Sequence, residues 1–421
     1  MKKFGYRRGT VRRFARGGFF APLVVVFVFL VYAAAGRAQI PVGPEFHANA
    51  LGKFAQGYQV VAVNKTNDFL VVWQSATPDG KLDGLWGQWF SPFGEPVGKN
   101  LLLRAIKGAV YGPVAAPGVH GGILVLWHEI RNNQVGYWEV LIGGELLPDG
   151  SWFLPPRYIT FLGGVAARFA SPLPRGGYAI TILGSRPNRD ENRTFLVLTD
   201  NNLKVVHGPT AVSPARQASQ EVGGLAVSPT GEFLVTWTEA ETTILAQLFS
   251  PAGRPLASSF KVPSGGTLPQ YAGAAAPLGN NGYVIVWSEN LTSQGIPDLI
   301  MRLLNPDGTP RSADLRLDPE IRFRGLQEVA SDPAGNFLVV WQEGGAPPNG
   351  GWDIFGRLYH PDGTPFGPKV RLNQYVVNDQ TNAQVAAGPN GTFVVVWQST
   401  SQDNGDDGIY GRVFAVPASG N

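Results

Sequence analysis

"FLVVWQS" occupies residues 69–75, and close copies stand at 233–239 ("FLVTWTE"), 283–289 ("YVIVWSE"), 337–343 ("FLVVWQE") and 393–399 ("FVVVWQS"). "ILVLWHE" at 123–129 and the degenerate "YAITILG" at 178–184 complete the series. The tryptophan position therefore runs Trp73, Trp127, Ile182, Trp237, Trp287, Trp341, Trp397, at intervals of 50 to 56 residues. Self-similarity at a fixed period marks a repeat architecture, and seven registered copies make seven units.

Three further features keep the same register. An alanine precedes the tryptophan position by eleven or twelve residues in every unit: Ala62, Ala115, Ala170, Ala226, Ala275, Ala330 and Ala386. An aromatic stands four residues before it in every unit except that of Ile123. After it comes a run with a polar residue in its middle, as in "LWGQWF", "ILAQLF", "LIMRLL", "IFGRLY" and "IYGRVF". Turns such as "SPFGEP", "SPAGRP", "NPDGTP" and "HPDGTP" usually close that run. Proline presets the second turn residue and glycine takes the left-handed position, so each of these is a hairpin.

Each unit thus reads as four strands: one around the alanine, the apolar "FLVVW" strand, the strand carrying Gln or Arg, and an edge segment. Four strands in about 50 residues, repeated, is the arithmetic of a β-propeller blade. A continuously apolar second strand fits burial on both faces, and alanine fits an innermost strand crowded at the axis. A β-solenoid is the competing architecture, but its coils are shorter and carry fewer turns. The fold expected is all-β, a seven-bladed propeller of four-stranded antiparallel blades.

"TPFGPKVRLN" at 364–373 ends the sixth unit, and "IPVGPEFHAN" at 40–49 repeats it before any unit has begun. The seventh unit stops at "IYGRVFAVPASGN" without a fourth strand. The orphan segment is expected to supply it by pairing beside Arg412. That closes the ring and removes an open sheet edge.

These blocks resemble a family of exported bacterial tandem-repeat propellers built on "FVVVWQS … DG … GIYGRVF … G-x-P-x-G … N". The resemblance spans residues 40–421 and is best in units one, six and seven. Units two and three depart from it, with Ile182 for Trp and no Gln/Arg position. It implies a propeller at an envelope or extracellular address and no particular ligand.

The leader points the same way. Residues 1–38 hold eight basic residues and no acid, followed inside that stretch by the apolar run Phe19–Ala35 and small residues up to Ala38. That is the order of a secretory signal, so 1–38 is read as a signal peptide and 39–421 as a single propeller domain. An uncleaved anchor is the alternative, although the run is short for a span and contains Pro22. "RRGTVRRF" is a weak hint of twin-arginine export. The expected location is secreted, periplasmic or cell-surface, with no membrane span once the signal is removed.

Removing the leader leaves 34 − 8 = 26 basic against 31 acidic residues. A net charge of −5 on the mature chain gives no basic surface for nucleic acid. Cysteine is absent, so there are neither disulfides nor thiolate chemistry, and stability rests on the core. No Walker loop, G-x-S-x-G or H-E-x-x-H is present, and no cofactor is expected.

In a four-stranded meander the loops between second and third strands share a face, and here they vary most. Variable loops on a rigid scaffold are where binding usually lives, so a protein or glycan ligand is expected there. Four units place a carboxylate at the start of that face: Glu129, Glu239, Glu289 and Glu343. They are the candidate binding residues, against the plainer reading of solvated strand ends or hydrogen-bond partners for the neighbouring strand. The Gln/Arg series (Gln88, Gln247, Arg302, Arg357, Arg412) recurs too regularly for a ligand site and is read as blade-to-blade hydrogen bonding. "DNGDDG" at 403–408 lacks full calcium-loop spacing and is read as a turn. The histidines at 47, 120, 128, 207 and 360 fall at unrelated repeat positions, so no metal site is expected. Trp138, Trp152 and Trp352 lie outside the repeat register, and could stack sugars or cap blades. The function expected is a non-catalytic binding or scaffold module. The alternative is a carbohydrate-active enzyme using carboxylates on the variable-loop face.

Overall fold

The computed structural model describes residues 40–49, 56–76, 82–105, 110–133, 136–185, 193–212, 220–240, 242–265, 270–290, 297–318, 324–345, 351–403 and 406–417. The expected signal peptide lies outside them. Apart from one 3-10 turn at Gly279–Asn281, the regular structure described is all strand. Blade one is Gln56–Val63, Phe69–Ala76, Leu82–Phe90 and Pro96–Ala105, paired in that order and antiparallel throughout. Blades four, five and six repeat the meander from Gln220, Gln270 and Arg324, with outer strands of only two residues each. The innermost strand of each blade lies against that of the next, and the last against the first, so the seven blades form a ring.

The apolar second strands make this arrangement obligatory. Leu70, Val71 and Val72 are fully buried, as are Leu338, Val339 and Val340 at the matching place in blade six. Alternate residues of such a strand point to opposite faces, so total burial requires a neighbouring sheet on both sides. Adjacent inner strands also approach closely. A side chain added at Gly224 would stand 2.6 Å from the backbone nitrogen of Ala275 on the next blade. This is the crowding that the recurrent alanines answer.

Blades two and three depart from the pattern as their sequences do. A single strand, Trp152–Pro172, is the outer strand of blade two and the inner strand of blade three, joining both into one seven-stranded sheet. Ile182 fills the tryptophan position and is fully buried.

Ring closure follows the echo between 40–49 and 364–373. Ile40–Pro41 and Phe46–His47 pair with Asp406–Ala415, supplying the outer edge of blade seven. The correspondence with blade six holds bond by bond. Ala48 N donates to Ile409 O at 2.8 Å, and Leu372 N to Ile354 O at 2.8 Å. Asn49 Oδ1 accepts from Ile409 N at 2.6 Å, as Asn373 Oδ1 accepts from Ile354 N at 2.8 Å. Arg412 Nε donates to Gly43 O and Arg357 Nε to Gly367 O, both at 2.8 Å.

The Gln/Arg series serves this outer edge in every member. Gln88 reaches Val97 O at 3.0 Å and Gln247 reaches Ala257 O at 2.9 Å, each within its blade. Arg302 and Arg357 extend to the preceding blade, at Val262 O and Leu317 O. Gln88 serves the ten-residue strand Pro96–Ala105, and the others tie down outer edges whose strands are only two residues long.

Candidate functional site

The four candidate glutamates sit two residues after a tryptophan, which puts both side chains on one face of the strand. The indole N–H of Trp127, Trp287 and Trp341 donates to Glu129, Glu289 and Glu343 at 3.1, 3.3 and 3.3 Å. Glu129 also meets Arg104 of blade one, Nε to Oε1, at 2.8 Å. Glu343 meets Lys369 at 3.0 Å, and Lys369 continues to Asp318 of blade five at 2.6 Å. Glu129 and Glu343 are only 7% and 1% exposed, so two of the four are buried in ties between strands and blades rather than solvated. Glu239 and Glu289 are half-buried.

A different set of residues converges at the axis. A cavity of about 880 Å³ opens among the N-terminal ends of the inner strands, at the end carrying the second-to-third-strand connections, and all seven blades line it. None of the four glutamates does. Its polar lining includes Gln59, Gln74, Arg168, Glu221, Glu328 and Gln384.

A repeated backbone device builds this funnel. In each inner strand an extra residue enters the ladder opposite the tryptophan position, between Gly57 and Val60, Tyr111 and Val114, Ala167 and Phe169, Val222 and Gly224, Tyr271 and Ala274, Gly325 and Glu328, and Thr381 and Gln384. A β-bulge of this kind bends the strand and re-aims a side chain. Four of the seven carry a left-handed residue: Tyr58 at φ 54°, Gly112 at 48°, Leu326 at 47° and Asn382 at 56°. Gly112 and, less strongly, Asn382 are residue types such a backbone favours, whereas Tyr58 and Leu326 are not.

Hydrogen bonds stitch the funnel across blades. Gln59, 3% exposed, donates through Nε2 to Asn382 O at 2.5 Å, from blade one to blade seven. The Asn382 N–H in turn donates to Gln342 Oε1 of blade six at 3.2 Å. Gln398 Nε2 donates to Asp407 at 2.9 Å. Gln59 Oε1 is buried without a partner among the described protein atoms. Burial pushes the Glu328 carboxyl up to about 7, against the opposing hydrogen bond from Gln384.

The opposite opening is lined by Pro117, Pro172, Pro229, Pro277, Pro333 and Pro389 from six blades. Proline carries no N–H, so this rim is poorer in donors than the funnel.

The remaining sequence candidates make contacts within the fold where they are described. His120 Nδ1 lies 2.8 Å from the fully buried Glu145, which also accepts from Gly122 N and the Tyr178 hydroxyl. His47 stacks on Tyr410 with ring centroids 4.5 Å apart. His128 is buried, which pushes its ring down to about 4, helped by the charge of Arg168. The strands around "DNGDDG" form a hairpin in which Asp403 pairs with Asp406, although Asn404 and Gly405 lie outside the described residues. Trp152 packs on Trp127, centroids 6.5 Å apart, as a blade cap. The side chain of Trp138 is outside the described set, as is much of the second-to-third-strand loops.

No protein-family model matches the chain, and no curated protein matches it. Among solved structures it is similar to a protein of unknown function from Dyadobacter fermentans, with TM-score 0.54 and 10% identity over 90% of this chain and 99% of that one. It is similar to a fungal alcohol oxidase solved in complex with copper, TM-score 0.53 and 12% identity, over 91% and 77% of the two chains. The WD40 domain of Toxoplasma gondii coronin gives 0.51 and 10%, over 92% and 90%. At such identities the likeness is one of propeller fold alone.

Proposed function

We propose that this protein is an exported binding module that holds a polar ligand, a glycan or a polypeptide segment, in the axial funnel. One observation carries the reading. Tyr58 and Leu326 are 69% and 55% exposed, yet both are held at left-handed φ on the funnel's bulges. Such a conformation costs about 1–3 kcal/mol for a residue with a side chain, and exposure returns little of that through burial. Glycine would serve stability better. Large side chains kept at the rim of a polar cavity suit contact with a ligand.

The lining suits the ligand class. Carboxamides offer donors and acceptors side by side, which matches hydroxyls and amides, and convergent polar groups in one concavity are the usual mark of a binding site. The leader and the resemblance to exported propellers support placement outside the cytoplasm. A catalytic reading has one observation of its own: a carboxyl titrating near 7 is fit to act as a general acid, and Glu221 lines the same funnel as Glu328.

The test is a glycan and peptide array probed with purified residues 39–421 and with the Tyr58→Gly/Leu326→Gly double variant. The expected result is a binding class lost at least tenfold in a variant that melts no lower than the parent. Binding indifferent to both changes would remove the funnel from the reading. Turnover of an array member, abolished by Glu328→Gln, would replace it with the catalytic one.

A further inference from the structure

The repeats allow one groove of this protein to be compared with its own equivalents. In blades four, five and six, the residue after the second proline of the third-to-fourth-strand turn lies at the junction with the next blade. The backbone fixes the equivalence: Leu256 N donates to Leu248 O in blade four, Arg311 N to Leu303 O in blade five, and Phe366 N to Leu358 O in blade six. Phe366 fills its junction, stacking on His360 with centroids 3.6 Å apart and packing on the core. Arg311 spans its junction, donating to Asn281 O at 2.5 Å and to Pro361 O of blade six. Leu256 reaches neither, stays 52% exposed, and leaves a cavity of about 600 Å³ between blades four and five.

What remains around that cavity is the counterpart of an arginine's surroundings. Pro306 and Asp307 line it at the places that Pro361 and Asp362 hold in the next junction, because Asn305 N→Thr309 O matches His360 N→Thr364 O. Burial lowers the Arg311 guanidinium, and Asp362 lies near enough to oppose that by favouring its charge. Glu232 of blade four adds a second carboxylate to the open cavity, with Arg175 as a neighbouring cation, and Leu248 and Leu256 give it an apolar wall. Hydrogen bonds from Thr309 and Thr230 hold both carboxyls below the usual range, so both are charged at neutral pH. An apolar wall beneath two anions fits the stem and head of an arginine side chain.

We infer that the groove between blades four and five receives an arginine side chain presented by a partner polypeptide, in the manner that Arg311 occupies the next groove from within. This site is remote in sequence from the funnel residues and stands apart from the reading given to them.

Saturation-transfer NMR on residues 39–421 tests it, with the capped tripeptide Gly-Arg-Gly as probe and its neutral isostere Gly-citrulline-Gly as control. Signal on the arginine side chain, reduced at least fivefold for citrulline and for Asp307→Asn, is expected. Leu256→Arg should abolish binding by filling the groove from the chain itself, and the exposed position lets this variant fold. Arg311→Leu should open the equivalent groove and increase the signal. Equal saturation of arginine and citrulline peptides would overturn the inference. So would undiminished binding to Leu256→Arg, and so would the absence of saturation of the arginine peptide at about 1 mM.

Discussion

The closing segment offers the sharpest test of the fold, because ten residues are asked to hold a ring together. Phe46 is 8% exposed and lies against Phe90 and Phe69, with ring centroids 4.6 and 5.4 Å away. Truncating such a ring costs about 3–5 kcal/mol. Asn49, 1% exposed, satisfies the buried N–H of Ile409, and losing that partner costs about 1–3 kcal/mol more. Deleting residues 40–49 removes both, strips Arg412 of Gly43 O, and opens the edge of Asp406–Ala415. The loss, about 5 kcal/mol or more, is comparable with the whole stability of an ordinary domain. The deletion should therefore melt far below the parent and aggregate through its open edge. Synthetic peptide 40–49 should restore it by mass action, giving back about 2.7 kcal/mol at a hundred times its dissociation constant. Thermal melts across a peptide titration, with a scrambled control, read this directly. A deletion that melts like the parent, or a scrambled peptide that rescues equally, refutes the shared blade.

Other outcomes follow from the same geometry. Glu343→Gln and Glu129→Gln break buried pairs and should each destabilise by about 1–3 kcal/mol, whereas Glu239→Gln and Glu289→Gln should stay within about 1 kcal/mol in urea unfolding. Tyr58→Gly and Leu326→Gly relieve left-handed strain and should raise stability by about 1 kcal/mol each, or leave it unchanged; a clear loss in the same assay would show that these side chains pack. The Glu328 carboxyl, at about 7 in the folded chain against 4.5 ordinarily, favours folding below about 4.5 and loses that contribution as pH rises through 7. Glu328→Gln should flatten that slope and be the more stable protein at pH 8, by about 1–3 kcal/mol; an unchanged pH profile would place Glu328 in water. His128, at about 4 against 6.5, acts in the opposite sense, its contribution present above 6.5 and lost as pH falls through 4. His128→Gln should accordingly weaken the acid limb of the melting profile.

The fold was legible in the sequence because burial leaves the second strand no latitude. "FLVVW" is surrounded on both faces, so seven copies had to stay recognisable. The echo of 364–373 in 40–49 survived for a related reason: Gly43 and Asn49 each make a bond that Gly367 and Asn373 make in blade six. The funnel was not legible. It depends on one added residue per inner strand, in segments such as "QGYQVVAV" where small and polar residues obscure the alternation. Its residues lie a full unit apart and meet only at the axis. The glutamates were visible as a series, and the structure places Glu129 and Glu343 in ties between strands and blades. Spacing of two from a tryptophan already placed each carboxylate beside an indole N–H that needs an acceptor, which makes an internal role the stronger expectation.

A distinction follows between what a repeat keeps and what it varies. Gln88, Gln247, Arg302, Arg357 and Arg412 share a position and all bond to outer-edge carbonyls, so their regularity marks a scaffold duty each blade must perform. Tyr58, Gly112, Leu326 and Asn382 also share a backbone conformation, but four different side chains occupy it. Leu256, Arg311 and Phe366 share a hydrogen bond and solve one junction in three ways. Where the geometry repeats and the chemistry does not, the fold has fixed only the place. The side chain there is not held by a scaffold duty, and those two sets of positions are where the proposed binding is to be tested.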